Sequence, residues 1–360
     1  MRDAPAALPS RVLLVRLSAV GDVINVLPSV GLLRAALPDA HLAFVVEDRA
    51  ADLVRGHPLL DEAIVFPRRR WREMLAGGDP RRWREAASEV AAYRRELRSR
   101  RFDASLDFQG NLKGAMHALA SGAPRRIGFA AGHGREASHL FANELVVPPA
   151  DRPHRVEKFA SLVAPLGAAS GPLVYRLPES ATAHGRADRA LATLEPGHVP
   201  PRGYVCLHPG TSERGAGKRW APSRFGALAR ELYTRRGAKV LVTWGPGEEG
   251  LAREVVAASG GTARVAPATT SLLDLAEVLR RAAVFVSADT GPMHLAAACG
   301  TRCVALFGPK DPAVYRPWGT GHVVLRGTAV GGWPPTMDGI PVEAALDAVE
   351  SVLASCGPAR

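Results

Sequence analysis

The chain has little cysteine and little lysine. Its four cysteines, Cys206, Cys299, Cys303 and Cys356, form no CxxC pair and have no histidine at ligand spacing. That argues against a zinc site and for idle or buried thiols in a reducing compartment. No apolar run approaches the ~18 residues of a membrane span. The segment after MRDAPAALPS is too short for a secretion signal and contains Arg16, so a cytoplasmic protein is expected. Low-complexity tracts and short repeats are also missing. Only 5 of the 46 basic residues are lysine. Acidic residues fall short as well, which leaves a formal net charge of +11. Between Pro67 and Arg101, 12 arginines face five acids, a net of +7. Such a segment suits nucleic acid, a phosphorylated lipid or an anionic membrane face, or is a solvated helix coloured by an arginine-rich composition.

What is present reads as strand alternating with helix. Arg11–Arg16, His41–Val46, Glu62–Phe66, Asp103–Phe108 and Arg126–Phe129 are apolar runs of strand length. Val23–Leu37 and Pro80–Arg100 carry helical periodicity, while RRRWR (68–72) is a loop or short helix and Gln109–Lys113 opens another helix. A proline-punctuated stretch, 167–202, interrupts the pattern, although Ala181–Leu194 has helical character. Strands then recur at Tyr204–His208, Lys239–Trp244, Ala263–Ala266, Val284–Ser287 and Cys303–Phe307. Helices recur at Pro222–Arg236, Glu248–Ala258, Leu272–Arg281, Met293–Cys299 and Val342–Ala354. This spacing predicts an α/β protein with two doubly wound parallel sheets and a crevice between them.

The predicted domains are 1–180, a linker region 181–202, a second domain 203–340, and a C-terminal helical segment 341–360 that can pack back on the first domain.

The loop SAVGDVINVLPS (18–29) joins the first strand to the first helix, at the sheet edge where ligands bind in such folds. Asp22 there is either an N-cap or a general base facing a bound hydroxyl. In the second half, Ser287–His294 (SADTGPMH) makes another strand-to-helix turn, with Thr290 as cap and Gly291 allowing close approach of an anion. Thr211, Ser212 and Lys218 follow the strand Tyr204–His208 and can meet a diphosphate. Gly245–Gly250 matches GxGxxG, but Glu248 and Glu249 would repel a pyrophosphate, so one of them is better suited to ribose hydroxyls.

Read together, SAVGDVINVLPS, FVVEDRA, RRRWRE, DFQGNLKGA, HPGTSERGAGKRW, WGPGEE, VSADTGPMHLAAACG and FGPKDP resemble, in order, the ADP-heptose:lipopolysaccharide heptosyltransferases, glycosyltransferase family 9. The RRRWR and DxQGxxK pieces are most similar to those of heptosyltransferase I. The resemblance implies a GT-B fold, two Rossmann-like domains facing a central cleft, with the acceptor on the N-terminal one and the nucleotide sugar on the C-terminal one. It implies Asp22 as catalytic base. Donor positions fall on Thr211, Ser212, Lys218, Glu249, Asp289, Thr290, Gly291 and His294, and acceptor positions on Arg69, Arg70, Arg72 and Lys113. No metal or further cofactor is implied. The donor would be ADP-heptose and the acceptor a Kdo–lipid A type molecule, at the cytoplasmic surface of the inner membrane. Alternatives are heptosyltransferase II or another family 9 transferase, and a non-catalytic nucleotide- or nucleic-acid-binding protein.

Overall fold

A computed structural model describes residues 8–192, 203–211, 213–329 and 334–355. The chain divides into two compact units, Met1–Glu179 and Ser180–Arg360.

The first unit is built on β1 (Arg11–Val15), β2 (His41–Glu47), β3 (Glu62–Phe66), β4 (Ala104–Asp107), β5 (Arg125–Phe129) and β6 (Glu144–Val146). They form one parallel sheet in the order β3-β2-β1-β4-β5-β6. Helices α1 (Val20–Ala36), α2 (Arg68–Ala76), α3 (Pro80–Ser99), α4 (Leu112–Ser121) and α5 (Arg155–Ser161) complete it. Strand β1 is RVLLV with its last four residues buried, as a strand covered on both faces must be. Leu13 and Val15 join Ala43, Val45 and Ile64 in one core with Leu97 of α3.

The second unit begins with α6 (Ala181–Ala192) and carries β7 (Tyr204–His208), β8 (Val240–Val242), β9 (Ala263–Val265), β10 (Ala282–Ala288), β11 (Arg302–Phe307) and β12 (Val323–Arg326). Its helices are α7 (Pro222–Arg236), α8 (Glu249–Ala258), α9 (Leu272–Arg280), α10 (Gly291–Ala298), α11 (Pro312–Tyr315) and α12 (Val342–Ala354). The order β12-β11-β10-β7-β8-β9 is the same topology again, all parallel.

In each sheet the crossovers reverse direction at one place. That place is between β1 and β4 in the first unit and between β7 and β10 in the second. Such switch points leave a crevice at the carboxyl ends of the strands. The loops that follow β1 and β10 are the two singled out in the sequence.

One expectation about the segments around the second sheet needs correction. The stretch from 181 does not begin as a linker. Helix α6 lies on α9, with Arg186 paired to Asp274 at 2.7 Å and Asp188 to Arg281 at 2.6 Å. Residues 193–202 lie outside the described ones. Helix α12 is anchored in the core of the second unit. It packs on α7 and the β10–β12 side of its own sheet, and Ala345, Leu346, Val349 and Val352 are part of that core.

Trp220 is the largest fully buried side chain among the described residues. Its Nε1 donates to the Ile340 carbonyl at 3.0 Å, and its ring meets Phe225 edge-on at 4.9 Å. Truncating it leaves a cavity and removes one of the two donors to the Ile340 carbonyl, the other being Arg224 Nη1 at 2.9 Å. Trp220→Ala is expected to lower unfolding free energy by about 3–5 kcal/mol, read by urea denaturation. A loss below about 1 kcal/mol would mean the site collapses around the void.

Three buried histidines couple the fold to pH. His57, His117 and His208 are each pushed down to about 4 by burial. Their folded pKa lies below the unfolded one, so the unfolded chain takes up protons first on acidification. Their contribution is intact above about pH 6.5 and is lost as pH falls toward 4. Asp107, raised to about 6 by burial, and Glu248, also raised by burial, act in the opposite sense, but they are two groups against four histidines once His322, likewise lowered by burial, is included. The denaturation midpoint is therefore expected to fall steadily from pH 7 to pH 4.5; a flat profile would contradict this.

Candidate active site

In the first unit the site forms around Asp22. Helix α1 starts at Val20, three residues earlier than the periodicity indicates, and its N-cap, Ala19, makes no side-chain capping bond. Asp22 therefore lies inside the first turn. The N-cap reading of Asp22 is corrected by this start. Its carboxylate pairs instead with two guanidinium groups: Arg16 on Oδ2, and Arg155 on Oδ1 at 3.2 Å.

Arg16 follows β1 and is buried, with its Nη1 donating to the Phe108 carbonyl at 2.7 Å. Burial pulls its pKa below the usual value, while the Asp22 charge works against that fall. Arg155 opens α5, where the His154 side chain caps the Val156 N–H. Both guanidinium groups lie against the ring of Phe159, at 5.2 and 5.8 Å from its centroid. The approach to Asp22 is held by Gln109, whose Oε1 accepts from the Leu17 N–H at 3.0 Å. Asp107, at the end of β4, ties the next loop by accepting from the N–H groups of Gln109 and Gly110. Gly114 is needed here: a Cβ would lie 2.2 Å from Asp107 Oδ1.

The basic candidates separate. Lys113 reaches the buried Glu47 at the end of β2, at 3.6 Å, and Arg68 meets the same carboxylate at 3.0 Å. Arg69 pairs along its own helix with Glu73, and Arg70 with Glu89 of α3. Arg72 is exposed. Of the four, Lys113 is the one drawn to a strand end. Arg16, Arg68 and Arg155 are the cations sequence reasoning passed over. Arg16 had one signal, a charge closing an otherwise apolar strand. Arg155 had none, because its partner is remote in sequence.

In the second unit, Lys218 Nζ donates to Asp289 Oδ2 at 2.7 Å, and His294 Nε2 lies 3.7 Å from the other oxygen. Burial works against the Asp289 charge, but nearby His294 and the hydrogen-bonded Lys218 outweigh it and hold its pKa below the usual carboxylate range. Thr290 caps α10 by accepting from the Met293 N–H at 3.4 Å. Pro292 has no N–H, which leaves the Gly291 amide as the first-turn donor suited to an anion.

Thr211, buried after β7, donates to the Gly215 carbonyl and accepts from Arg219 Nε, both at 3.0 Å. Ser212 lies outside the described residues.

The two glutamates differ. Glu249 pairs with Arg253 along the exposed side of α8. Glu248 is the residue at the strand ends: it accepts from the Gly245 N–H at 3.1 Å, and a Cβ on Gly210 would lie 2.1 Å from its Oε2. Of the two, Glu248 is the acid that lies beside the β7 and β8 loops. Burial raises the Glu248 pKa above its usual value.

Among the described residues no group of three or more His, Cys, Asp or Glu side chains could hold a metal ion. No described helix is long and apolar enough to cross a membrane.

Two Rossmann-type units, each with charged side chains gathered at its switch point, make the architecture of the GT-B glycosyltransferases. The family model Glycosyltransferase family 9 (heptosyltransferase) matches residues 90–331. Lipopolysaccharide heptosyltransferase 1 of Pseudomonas aeruginosa is 33% identical, over 88% of this chain and 83% of its own. The protein of that name from Escherichia coli K12 is 29% identical, over 88% of this chain and 93% of its own. Among solved structures, E. coli heptosyltransferase WaaC with ADP is 26% identical with a TM-score of 0.74, covering 95% of this chain and 99% of that one. A family 9 glycosyltransferase from Veillonella parvula, 21% identical, shares the fold with a TM-score of 0.79, over 96% of this chain and 97% of that one. The chain belongs to glycosyltransferase family 9, the heptosyltransferases.

Proposed function

We propose that this enzyme transfers heptose from ADP-heptose to a hydroxyl of a Kdo residue in the lipopolysaccharide inner core, with inversion at the anomeric carbon. Asp22 is the base. Its carboxylate takes the hydroxyl proton while that oxygen bonds to the anomeric carbon. The bond from that carbon to the phosphate oxygen breaks, and its electron pair leaves with ADP. A positioned base is useful because a neutral hydroxyl is a poor nucleophile.

The second unit binds the donor. Lys218 and the Gly291 amide neutralise the charge that grows on the departing diphosphate. Asp289 and His294 hold Lys218 at that place. Thr211 and Ser212 line the diphosphate, and Glu248 accepts from ribose hydroxyls. No step in this scheme draws on a metal ion. On the acceptor side, Lys113 and Arg68, with Arg69, Arg70 and Arg72 along α2, meet acceptor phosphates. The remaining positive charge of α2 and α3, with the exposed Leu75 and Trp83, suits the anionic cytoplasmic face of the inner membrane.

The observation that carries this reading is the Asp22 carboxylate, held by two guanidinium groups at the switch point of a family 9 chain. Product stereochemistry tests the direct displacement. NMR of the new linkage should show the anomeric configuration opposite to that of the donor; retention would rule out the direct displacement and the base role given to Asp22.

A further inference from the structure

We infer that Arg155 is a positioning residue for Asp22, setting both the direction of its carboxylate and the pH at which it works as a base. This rests on the reading of Asp22 as the base.

The carboxylate is gripped from two elements. Arg16 comes from the end of β1 and Arg155 from the first turn of α5, one on each oxygen. The two grips are unequal. Arg16 is buried and locked to the Phe108 carbonyl, so it is a fixed wall of the site. Arg155 keeps 20% of its side chain exposed, so it is the half of the clamp that water and substrate can reach.

Its place is nonetheless defined. Its guanidinium lies over Phe159, which is itself buried edge-on against Phe108 at 6.0 Å. Helix α5 packs along α1, so the base and its clamp sit on directly packed elements. A carboxylate free to rotate about χ2 presents its lone pairs over a wide arc. One pinned at both oxygens presents the remaining lone pairs in a narrow one, which is what proton transfer within hydrogen-bond reach requires.

The charges around Asp22 determine the direction of the pH effect. Arg16 and Arg155 face it directly. Asp107, at the end of β4, bears on Arg16 with the opposite sign. Lys158 of α5 and Arg135 after β5 belong to the same positive field, since burial first, and then Arg155, Arg16 and Arg135, pull the Lys158 pKa down. The turn Asp48–Leu53, which also packs on α1, carries Asp48, Arg49 and Asp52. Removing Arg155 takes one cation from the carboxylate and leaves Arg16 in place. An opposite charge at this distance favours the ionised form, so its loss makes Asp22 protonate at higher pH.

The experiment is the pH dependence of kcat for the full chain at saturating ADP-heptose and acceptor, in wild type, Arg155→Gln and Arg155→Lys. The acidic limb is expected to move up by about one pH unit in the Gln variant, with kcat on the plateau reduced about tenfold or more as orientation loosens. Lys restores the limb to within a few tenths of a unit and only part of the plateau. Should the Gln variant fail to fold, Arg155→Met, which keeps an apolar stem against Phe159, carries the same test.

An unmoved limb overturns the inference. So does a rise in acceptor KM with limb and kcat unchanged, which would make Arg155 a binding contact only. Asp22→Asn run alongside separates the two levels. If that variant stays active, the base reading itself has failed. If it is inactive while the Arg155 limb is unmoved, only the role of Arg155 has.

Discussion

Replacing Asp22 by Asn is expected to lower kcat by about 10²–10⁴-fold while ADP-heptose still binds. The substitution keeps the shape of the side chain, but its single amide oxygen can accept from only one of the two guanidinium groups that now hold separate oxygens, and it leaves nothing able to take a proton. It has a second consequence that must be measured with it. Arg16 is buried, and Asp22 is one of its two carboxylate counterions. Stripping a buried cation of a paired charge typically costs about 3–5 kcal/mol, and Asp107 and the Phe108 carbonyl offset only part of that. The variant is therefore also less stable. A purely structural Asp22 would show the stability loss and keep wild-type turnover in the fraction that remains folded. Assays below the lowered melting point, normalised to ADP-binding sites, separate the two. Asp22→Glu adds a further check. It keeps a charge for Arg16 but displaces the carboxylate, so stability largely returns and turnover does not.

Replacing Lys218 by Ala is expected to lower kcat by about 10²–10³-fold and to raise the KM for donor. Lys218 is the cation that meets Asp289, beside the cap of α10, where a diphosphate would rest on the Gly291 amide. In the proposed scheme the charge it meets grows as the bond to the anomeric carbon breaks, which makes its effect larger in the transition state than in the ground state. Without it, the buried Asp289 loses its nearer partner and adds repulsion toward the phosphates. Lys218→Arg keeps the charge with a different reach and should recover part of the loss. A variant that changed only the KM for acceptor would remove Lys218 from the donor site.

Much of this was legible because strand ends in doubly wound sheets are ligand edges, and the loops after β1 and β10 carry Asp22, Asp289 and Thr290 there. The helix from Pro222 to Arg236 was readable to the residue, since Pro222 and Gly237 mark its ends. What escaped has physical causes. Strands β6 and β12 are short edge strands, Glu144–Val146 and Val323–Arg326, with charge at one end and little apolar length to signal them. The early start of α1 escaped because Ala19 supplies no capping side chain to mark it. Of the two readings of the arginine run, loop or short helix, the helix Arg68–Ala76 is the one formed, and the low apolar content had left the choice open: Trp71 is its one buried residue, placed edge-on to Phe66 at 5.1 Å. The choice between Glu248 and Glu249 turned on one residue of helical phase, and composition says nothing about phase. The clamp on Asp22 joins residues 22 and 155 through tertiary packing alone.

The measurement closest to the central claim is direct. The purified protein is incubated with ADP-heptose and Kdo–lipid A, and the acceptor is followed by mass spectrometry while ADP is quantified. A heptosylated acceptor that accumulates in step with ADP, and that the Asp22→Asn protein fails to make, is the predicted result. An acceptor left unmodified, or one modified equally well without the Asp22 carboxylate, would contradict the account.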